Sequence, residues 1–315
     1  MALRLAIVGA TGHIGRSLLW NLGRDKSFQI QAYARRVDAV HEDLAAMEKT
    51  SAEAIHMDKF GTLPFDIVVN CVGAGDPARV RDMGAEIFRV TEDIDNRILD
   101  CLSSWPAALY INMSSGAVYG TPLSQPLTFQ SVCSRRVNEL NAAEWYGIAK
   151  RNAEAKHRAH EEFNIVDVRV FSYFSRFLNR EGRLFIVDLV NALIGKRMLQ
   201  TTSSDSVRDY ATPSDLLQLL SCIIERWQAG QGKINDALDL YTKAPVGKFE
   251  LIEAVAERFD LSWEATDDFN TISSTGEKQE YFSRNLKAAD WGYEPKLNAL
   301  DGILDELFGL LKTGR

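Results

Sequence analysis

Three glycines set directly behind a short apolar run constrain this chain more than any other feature. The run is Leu3 to Val8, and the string GATGHIG then supplies Gly9, Gly12 and Gly15. A strand, a glycine turn and a helix in that order form the first β-α unit of a parallel sheet. Gly9 permits a tight turn off the strand. Gly12 lets the backbone come close to a bound group, and Gly15 lets the helix lie against the sheet. The helix from about Ile14 points its N-terminal N–H groups at an anion, which suits the pyrophosphate of a dinucleotide. The spacing is G-x-x-G-x-x-G, whereas the usual dinucleotide fingerprint is G-x-G-x-x-G. An ordinary strand-to-helix turn without a ligand is the competing reading.

The alternation continues along the chain. Phe28 to Ala34 predicts a second strand, with Arg35 and Arg36 at its C-terminal end. In such a sheet that end faces the adenosine ribose. A carboxylate there accepts from the NAD hydroxyls, whereas arginine suits a 2′-phosphate. Ala34 stands where the acid would be, so the pattern favours NADP(H), with NAD(H) as the alternative. Against this, two arginines also open a solvated loop before the polar helix expected over His41 to Lys49.

Ala54 to Met57, ending at Asp58, predicts a third strand, and Phe65 to Cys71 a fourth, followed by Val72-Gly73-Ala74-Gly75. One long helix is expected over Arg79 to Leu102, closed by Pro106. Ala108 to Met113 is a fifth strand and runs into Ser114-Ser115-Gly116-Ala117-Val118-Tyr119-Gly120. A helix over Asn141 to Phe163 and a sixth strand over Ile165 to Phe171 follow. Strands apolar on both faces belong in a parallel sheet buried between helices. The expected fold class is α/β, with a Rossmann-type doubly wound parallel sheet over residues 1–172. A smaller C-terminal substrate lobe is expected over 173–315, with about 207–238 packing back on the first. Its predicted helices are Leu184 to Ile194, Pro213 to Arg226, Phe249 to Phe259 and Ala299 to Leu311. Extended pieces are expected at Val207 to Tyr210 and Asp239 to Thr242.

Composition narrows the function classes. A 315-residue chain with 46% hydrophobic and 25% charged residues is an ordinary globular balance. Its formal net charge of −7 argues against nucleic acid or an anionic membrane as partner. No apolar run reaches the roughly 18 residues of a membrane span, and no signal peptide precedes the strand that begins at Leu3. Cys71, Cys101, Cys133 and Cys222 lie far apart without metal-ligand spacing, and the five histidines do not join them. Reduced thiols, a cytoplasmic location and no metal site are expected.

Tyr146 and Lys150 stand four apart on a predicted helix and so share one face. A tyrosine titrates at about 10, and a nearby ammonium lowers that value. A tyrosine so tuned exchanges a proton with an alcohol or carbonyl oxygen. Ser115, at the end of the fifth strand, is placed to hydrogen-bond the same oxygen, and Lys150 to reach a nicotinamide ribose. By itself the pair is a common surface arrangement. Its significance comes from the order of glycine turn, serines at a strand end, then Tyr-x-x-x-Lys.

With these strings, the chain resembles an extended short-chain dehydrogenase/reductase of the NAD-dependent epimerase/dehydratase type. The matching strings are GATGHIG, NCVGAG, SSGAVYG, YGIAK with Glu154 beyond it, VRDYATPSDL and NLKAADWGYEP. The resemblance implies Ser115, Tyr146 and Lys150 as the catalytic residues. It implies a cofactor site of Gly9, Thr11, Gly12, His13, Ile14 and Gly15, with Asp58 near the adenine. Cys71, Val72 and Gly73 would also bind the cofactor, and Ser114 would lie beside the nicotinamide ribose. For substrate it implies Ser115, Tyr119, Ser172 and Arg208, and a nucleotide sugar as the ligand. Extended relatives pair through two helices, so a homodimer is expected, with Ile87, Ile94, Ile98, Ala142, Ala149 and Ala153 as its seam.

Departures from the family pattern matter as much. Gly116 and Ala117 stand where dehydratases of the family carry Asp-Glu. Phe171-Ser172-Tyr173-Phe174-Ser175-Arg176 replaces F-N-x-Y-G-P, and Ser273 to Glu277 replaces the segment with R-P-G-D, leaving Lys278 or Arg284 as substitutes for its arginine. The leading reading is an NADPH-dependent reductase of a keto group, most readily on a nucleotide-linked sugar. An epimerase with retained NAD is the alternative, and a non-catalytic NADP-sensing protein a third.

Overall fold

The computed structural model describes residues 2–47, 49–73, 77–120, 125–134, 136–230, 232–266 and 279–313. Six strands alternate with helices: β1 (Leu3–Val8), β2 (Phe28–Ala34), β3 (Glu53–His56), β4 (Ile67–Asn70), β5 (Leu109–Ser115) and β6 (Asn164–Val170). A further strand, Asn235–Asp239, completes a seven-stranded sheet in the order Asn235–Asp239, β6, β5, β4, β1, β2, β3. Every pairing in this sheet is parallel. The chain therefore runs outward from β1 in both directions, and the crevice at the switch point lies between the carboxyl ends of β1 and β4.

Alternation along β1 shows how the layers form. Leu5 and Ile7 pack with Leu18, Leu19, Leu216 and Ile223 on one face, while Ala6 and Val8 pack with Tyr33, Ile98 and Tyr110 on the other. The first face is covered by α1 (His13–Leu22) and later by α7 (Pro213–Gln228), the second by α4 (Glu86–Ser104) and α5 (Trp145–Ala159). Another core joins α6 (Phe185–Ile194), α8 (Lys248–Phe259) and α9 (Ala299–Thr313) through Leu189, Ile252 and Ile303. Its buried residues begin at Phe174.

Three expectations need correction. The helix expected over Arg79 to Leu102 is two helices, α3 (Pro77–Met83) and α4. Gly84 separates them at φ +54°, a left-handed turn that terminates α3 and that glycine adopts without strain. The strand expected at Asp239 to Thr242 lies earlier, because Asn235–Asp239 pairs with β6 at the sheet edge. The seam named for subunit pairing is largely internal: Ile87, Ile98, Ala149 and Ala153 are buried within the chain. The outward face of α4 instead carries Arg89, Glu92, Asp93, Asn96 and Asp100. All four cysteines are free, and among the described residues no helix is long and apolar enough to cross a membrane.

Candidate active site

The glycine turn builds a cradle. Gly9 leaves β1 at φ +88°, and its N–H and that of Ala10 both donate to the Tyr33 carbonyl. A Cβ at Gly15 would lie 2.2 Å from the Gly9 carbonyl oxygen, so only glycine lets α1 dock there. Gly12 is exposed on the cleft and caps α1 without a side chain, and no acid stands in the first turn. The free N–H groups of that turn suit a diphosphate, so the residues present fit a dinucleotide. Thr11, His13 and Ile14 line the same cleft, as do Cys71, Val72 and Gly73 beyond β4. His13 donates to or accepts from Ser175 at 2.9 Å, and burial lowers its pKa to about 4. It is neutral near neutral pH.

Just past the C-terminal end of β2, Arg36 lines the cleft, exposed and without an ion pair among the described residues, whereas Arg35 and Asp58 do not line it. Asp58 sits in a short turn after β3, its carboxylate turned to solvent 3.2 Å from His56. Arg16 is held in two-pronged fashion by Asp43 of α2 (Val37–Ala45), with contacts of 2.6 to 2.9 Å. Of the turn after β4, Ala74 and Gly75 lie outside the described residues, as do Ser273 to Glu277 and Lys278. Arg284 is exposed, over the Phe282 ring, and lies outside the cleft lining.

Ser115, Tyr146 and Lys150 are brought together where β5 meets α5. Gly147 sets the approach: a Cβ there would stand 2.3 Å from the Ala117 carbonyl oxygen. Glu154 anchors the same helix, accepting from Ser114 at 2.6 Å and from both ends of the Arg169 guanidinium on β6. Burial raises the Tyr146 pKa, and a hydrogen bond with Ser115 opposes that rise. Lys150 is buried, donates to the Met113 carbonyl at 2.8 Å, and has its own pKa lowered by burial. The expected lowering of Tyr146 by Lys150 is therefore not met within the chain's own groups. Gly73 lies beside the lysine in the cleft lining, where a Cβ would make ordinary contact with its Nζ at 3.5 Å.

Of the residues expected at the substrate, Ser115, Ser172 and Arg208 line the cleft. Tyr119 does not; its hydroxyl is engaged by Arg169 at 2.8 Å, by Asp239 at 3.0 Å and by Asn285 at 3.4 Å. Gly116 lies under Phe171, whose ring would be 2.4 Å from a Cβ, so no acidic side chain fits there without moving the ring. Two features escape sequence reasoning. Tyr281 reaches the cleft from a strand with no recognisable motif, and Arg180, Arg183 and Arg197 line its outer part without ion pairs among the described residues. The cleft, about 2800 Å³, carries twice as many lysine and arginine side chains as acidic ones, in a chain whose net charge is −7. Such focusing favours an anionic ligand. Among the described residues no group of three His, Cys, Asp or Glu is placed to hold a metal ion.

A family model described as the NAD dependent epimerase/dehydratase family matches residues 5–235. No curated protein matches the chain. Among solved structures, a UDP-glucose-4-epimerase from Stenotrophomonas maltophila with bound NAD and formylated UDP-arabinopyranose is similar, with TM-score 0.79 and 14% identity over 99% of each chain. UDP-glucose 4-epimerase from Thermotoga maritima with UDP-glucose has TM-score 0.78 and 14% identity, covering 99% of this chain and 100% of that one. A dTDP-glucose 4,6-dehydratase from Bacillus anthracis in complex with NAD has TM-score 0.72 and 14% identity, over 99% and 97%. At such identities the likeness is one of fold.

Proposed function

The chain belongs to the NAD dependent epimerase/dehydratase family, and from that premise we propose that it reduces a keto group on a nucleotide-linked sugar with Tyr146 as acid/base. The observation that carries this reading is the meeting of Ser115, Tyr146 and Lys150 beside a glycine cradle. A nicotinamide dinucleotide, when bound, supplies the hydride. The chain's own residues handle the proton: the Tyr146 phenol gives it to the carbonyl oxygen as that oxygen becomes negative, and Ser115 holds the oxygen. The buried Lys150 ammonium, which lines the cleft beside Gly73, would serve the ribose. Burial favours the neutral phenol, the form a reduction consumes.

Arg36 at the adenosine end, with Ala34 in place of an acid, supports NADP(H). The basic cleft supports a substrate with a diphosphate, the moiety common to the sugars named in two of the solved relatives. Phe171 over Gly116 opposes 4,6-dehydration, which needs an acid at that place. We place the reaction in the cytoplasm, where the four free thiols stay reduced. Epimerisation is the second reading, favoured by the bound NAD and UDP-sugar in a 4-epimerase of this fold. Added NADPH and a UDP-linked 4-keto-hexose separate the two. A reductase consumes one NADPH per ketone, whereas an epimerase interconverts UDP-sugars with no net consumption.

A further inference from the structure

One row of side chains crosses the sheet behind the site. Ser114 of β5, Arg169 of β6 and Asp239 of the edge strand stand opposite one another in the pairing register. Glu154 reaches this row from α5. Its Oε1 accepts from the Ser114 hydroxyl at 2.6 Å and from the Arg169 Nε at 3.0 Å, and its Oε2 accepts from the Arg169 Nη2 at 2.6 Å. The third nitrogen, Nη1, donates to the Tyr119 hydroxyl at 2.8 Å. Tyr119 in turn donates to Asp239 at 3.0 Å, and Asp239 also accepts from Ser283 at 2.5 Å. Every nitrogen of the guanidinium is thus engaged. A planar fork can hold one carboxylate at two points while reaching a third group, which an ammonium cannot do. Ser114 and Glu154 are buried, and neither Glu154 nor Arg169 lines the cleft. Both can act on the reaction only through their neighbours.

The helix α5 grips β5 at two successive residues. Lys150 donates to the Met113 carbonyl at 2.8 Å, and Glu154, one turn further along the same helix face, receives the Ser114 proton. Ser115 follows directly in the chain. We propose that Arg169 is a positioning residue of the reaction: it locks Glu154 onto Ser114 and thereby holds Lys150 in place at the cleft. This rests on Lys150 serving the nicotinamide ribose. With both carboxylate oxygens held, Glu154 is confined to one conformation and α5 to one register against the strand end. The Lys150 ammonium then meets the ribose already ordered, so its side-chain entropy is lost in folding rather than in binding. Without the lock, only the Met113 carbonyl would restrain it. No covalent bond is made or broken at Arg169. Tyr119 and Asp239 brace the guanidinium from the side away from Glu154, which places Tyr119 behind the site.

The test needs no sugar substrate. Calorimetry follows the binding of NAD⁺ and NADP⁺ and, separately, of ADP and 2′,5′-ADP, which end before the ribose that Lys150 serves. Three proteins are compared: the wild type, Arg169→Lys, and the neutral pair Glu154→Gln with Arg169→Met. Arg169→Lys keeps the charge and loses the fork. The neutral pair leaves neither charge buried alone, so it keeps the test open where the lysine variant does not fold. Both variants should bind the dinucleotides about fivefold or more weakly, as for coupled neighbouring residues. Their affinity for the adenosine halves should stay that of the wild type. Equal weakening of dinucleotides and adenosine halves, or failure of the neutral pair to fold, would give Arg169 a role in stability alone and overturn the proposal. Undiminished dinucleotide binding by either folded variant would overturn it too, since Lys150 would then hold its place unaided. A wild type that binds neither dinucleotide is the separate failure of the functional reading, and this inference falls with it.

Discussion

At the scale of single residues, Tyr146 is caught between burial, which keeps it protonated, and Ser115, which favours its ionised form. Replacing it by phenylalanine keeps the ring and removes the proton. Turnover of the keto substrate should fall by about 10² or more, with cofactor affinity retained, as steady-state kinetics and dinucleotide titration would show. Lys150→Met should lose both rate and affinity, and Ser115→Ala should cost less than either. Arg36→Ala should weaken NADPH far more than NADH, while Arg35→Ala should do little, because only Arg36 lines the cleft. Equal weakening of both dinucleotides by Arg36→Ala would show that it does not read the phosphate. Ser115, Tyr146 and Lys150 were legible in the sequence because their spacing is set by one helix and one strand end. Tyr281 was not, since only the return of a distant strand brings it to the cleft. Tyr119 misled for the complementary reason: Arg169 and Asp239, which engage it, come from two other strands.

Among elements, β1 and β2 were readable to the residue because their apolar runs are bounded by glycines and arginines. The break between α3 and α4 was hidden by a helical pattern that continues across Gly84. Asn235–Asp239 was misplaced because only Leu238 and Asp239 of its five residues are buried, so it carries almost no hydrophobic signal. The docking of α5 on the turn after β5 is the contact on which the site depends. Gly147→Ala would press a methyl against the Ala117 carbonyl, which is backbone and cannot turn aside. It should destabilise the protein by about 1–3 kcal/mol and displace Tyr146 from Ser115. Thermal unfolding together with activity checks this, and a variant as stable and active as the parent would show that α5 has slack.

Across the whole molecule, a buried ionic chain ties α4 and α5 to the sheet. Burial would lower the His157 pKa, but Asp167 and Asp95 outweigh it and raise the value from 6.5 to about 9. Its nitrogens lie 2.9 Å from Asp167 and 2.7 Å from Asp95. A pKa raised on folding stabilises most below the unfolded value of 6.5, and that stabilisation is lost as pH rises through about 9. Asp95, held at about 2 by His157 and Lys156 against its burial, contributes above 3.8 and loses its share as pH falls through about 2. The urea midpoint should therefore drop between about pH 7 and pH 9.5, and His157→Gln should flatten that drop. An unchanged slope in the variant would assign the loss to other groups. Pairing of subunits through α4 would have to use its charged outward face, so sedimentation should depend on salt if that face is used.

Hydride transfer at this cleft, with Tyr146 supplying the proton, is tested most directly by following deuterium from the nicotinamide ring of labelled NADPH into a UDP-linked 4-keto-hexose. The label should appear on the carbinol carbon of the product, one atom per NADPH consumed, and Tyr146→Phe should slow its appearance by about 10² or more while still binding the dinucleotide. A product without the label, or Tyr146→Phe turning over at the wild-type rate, would contradict it.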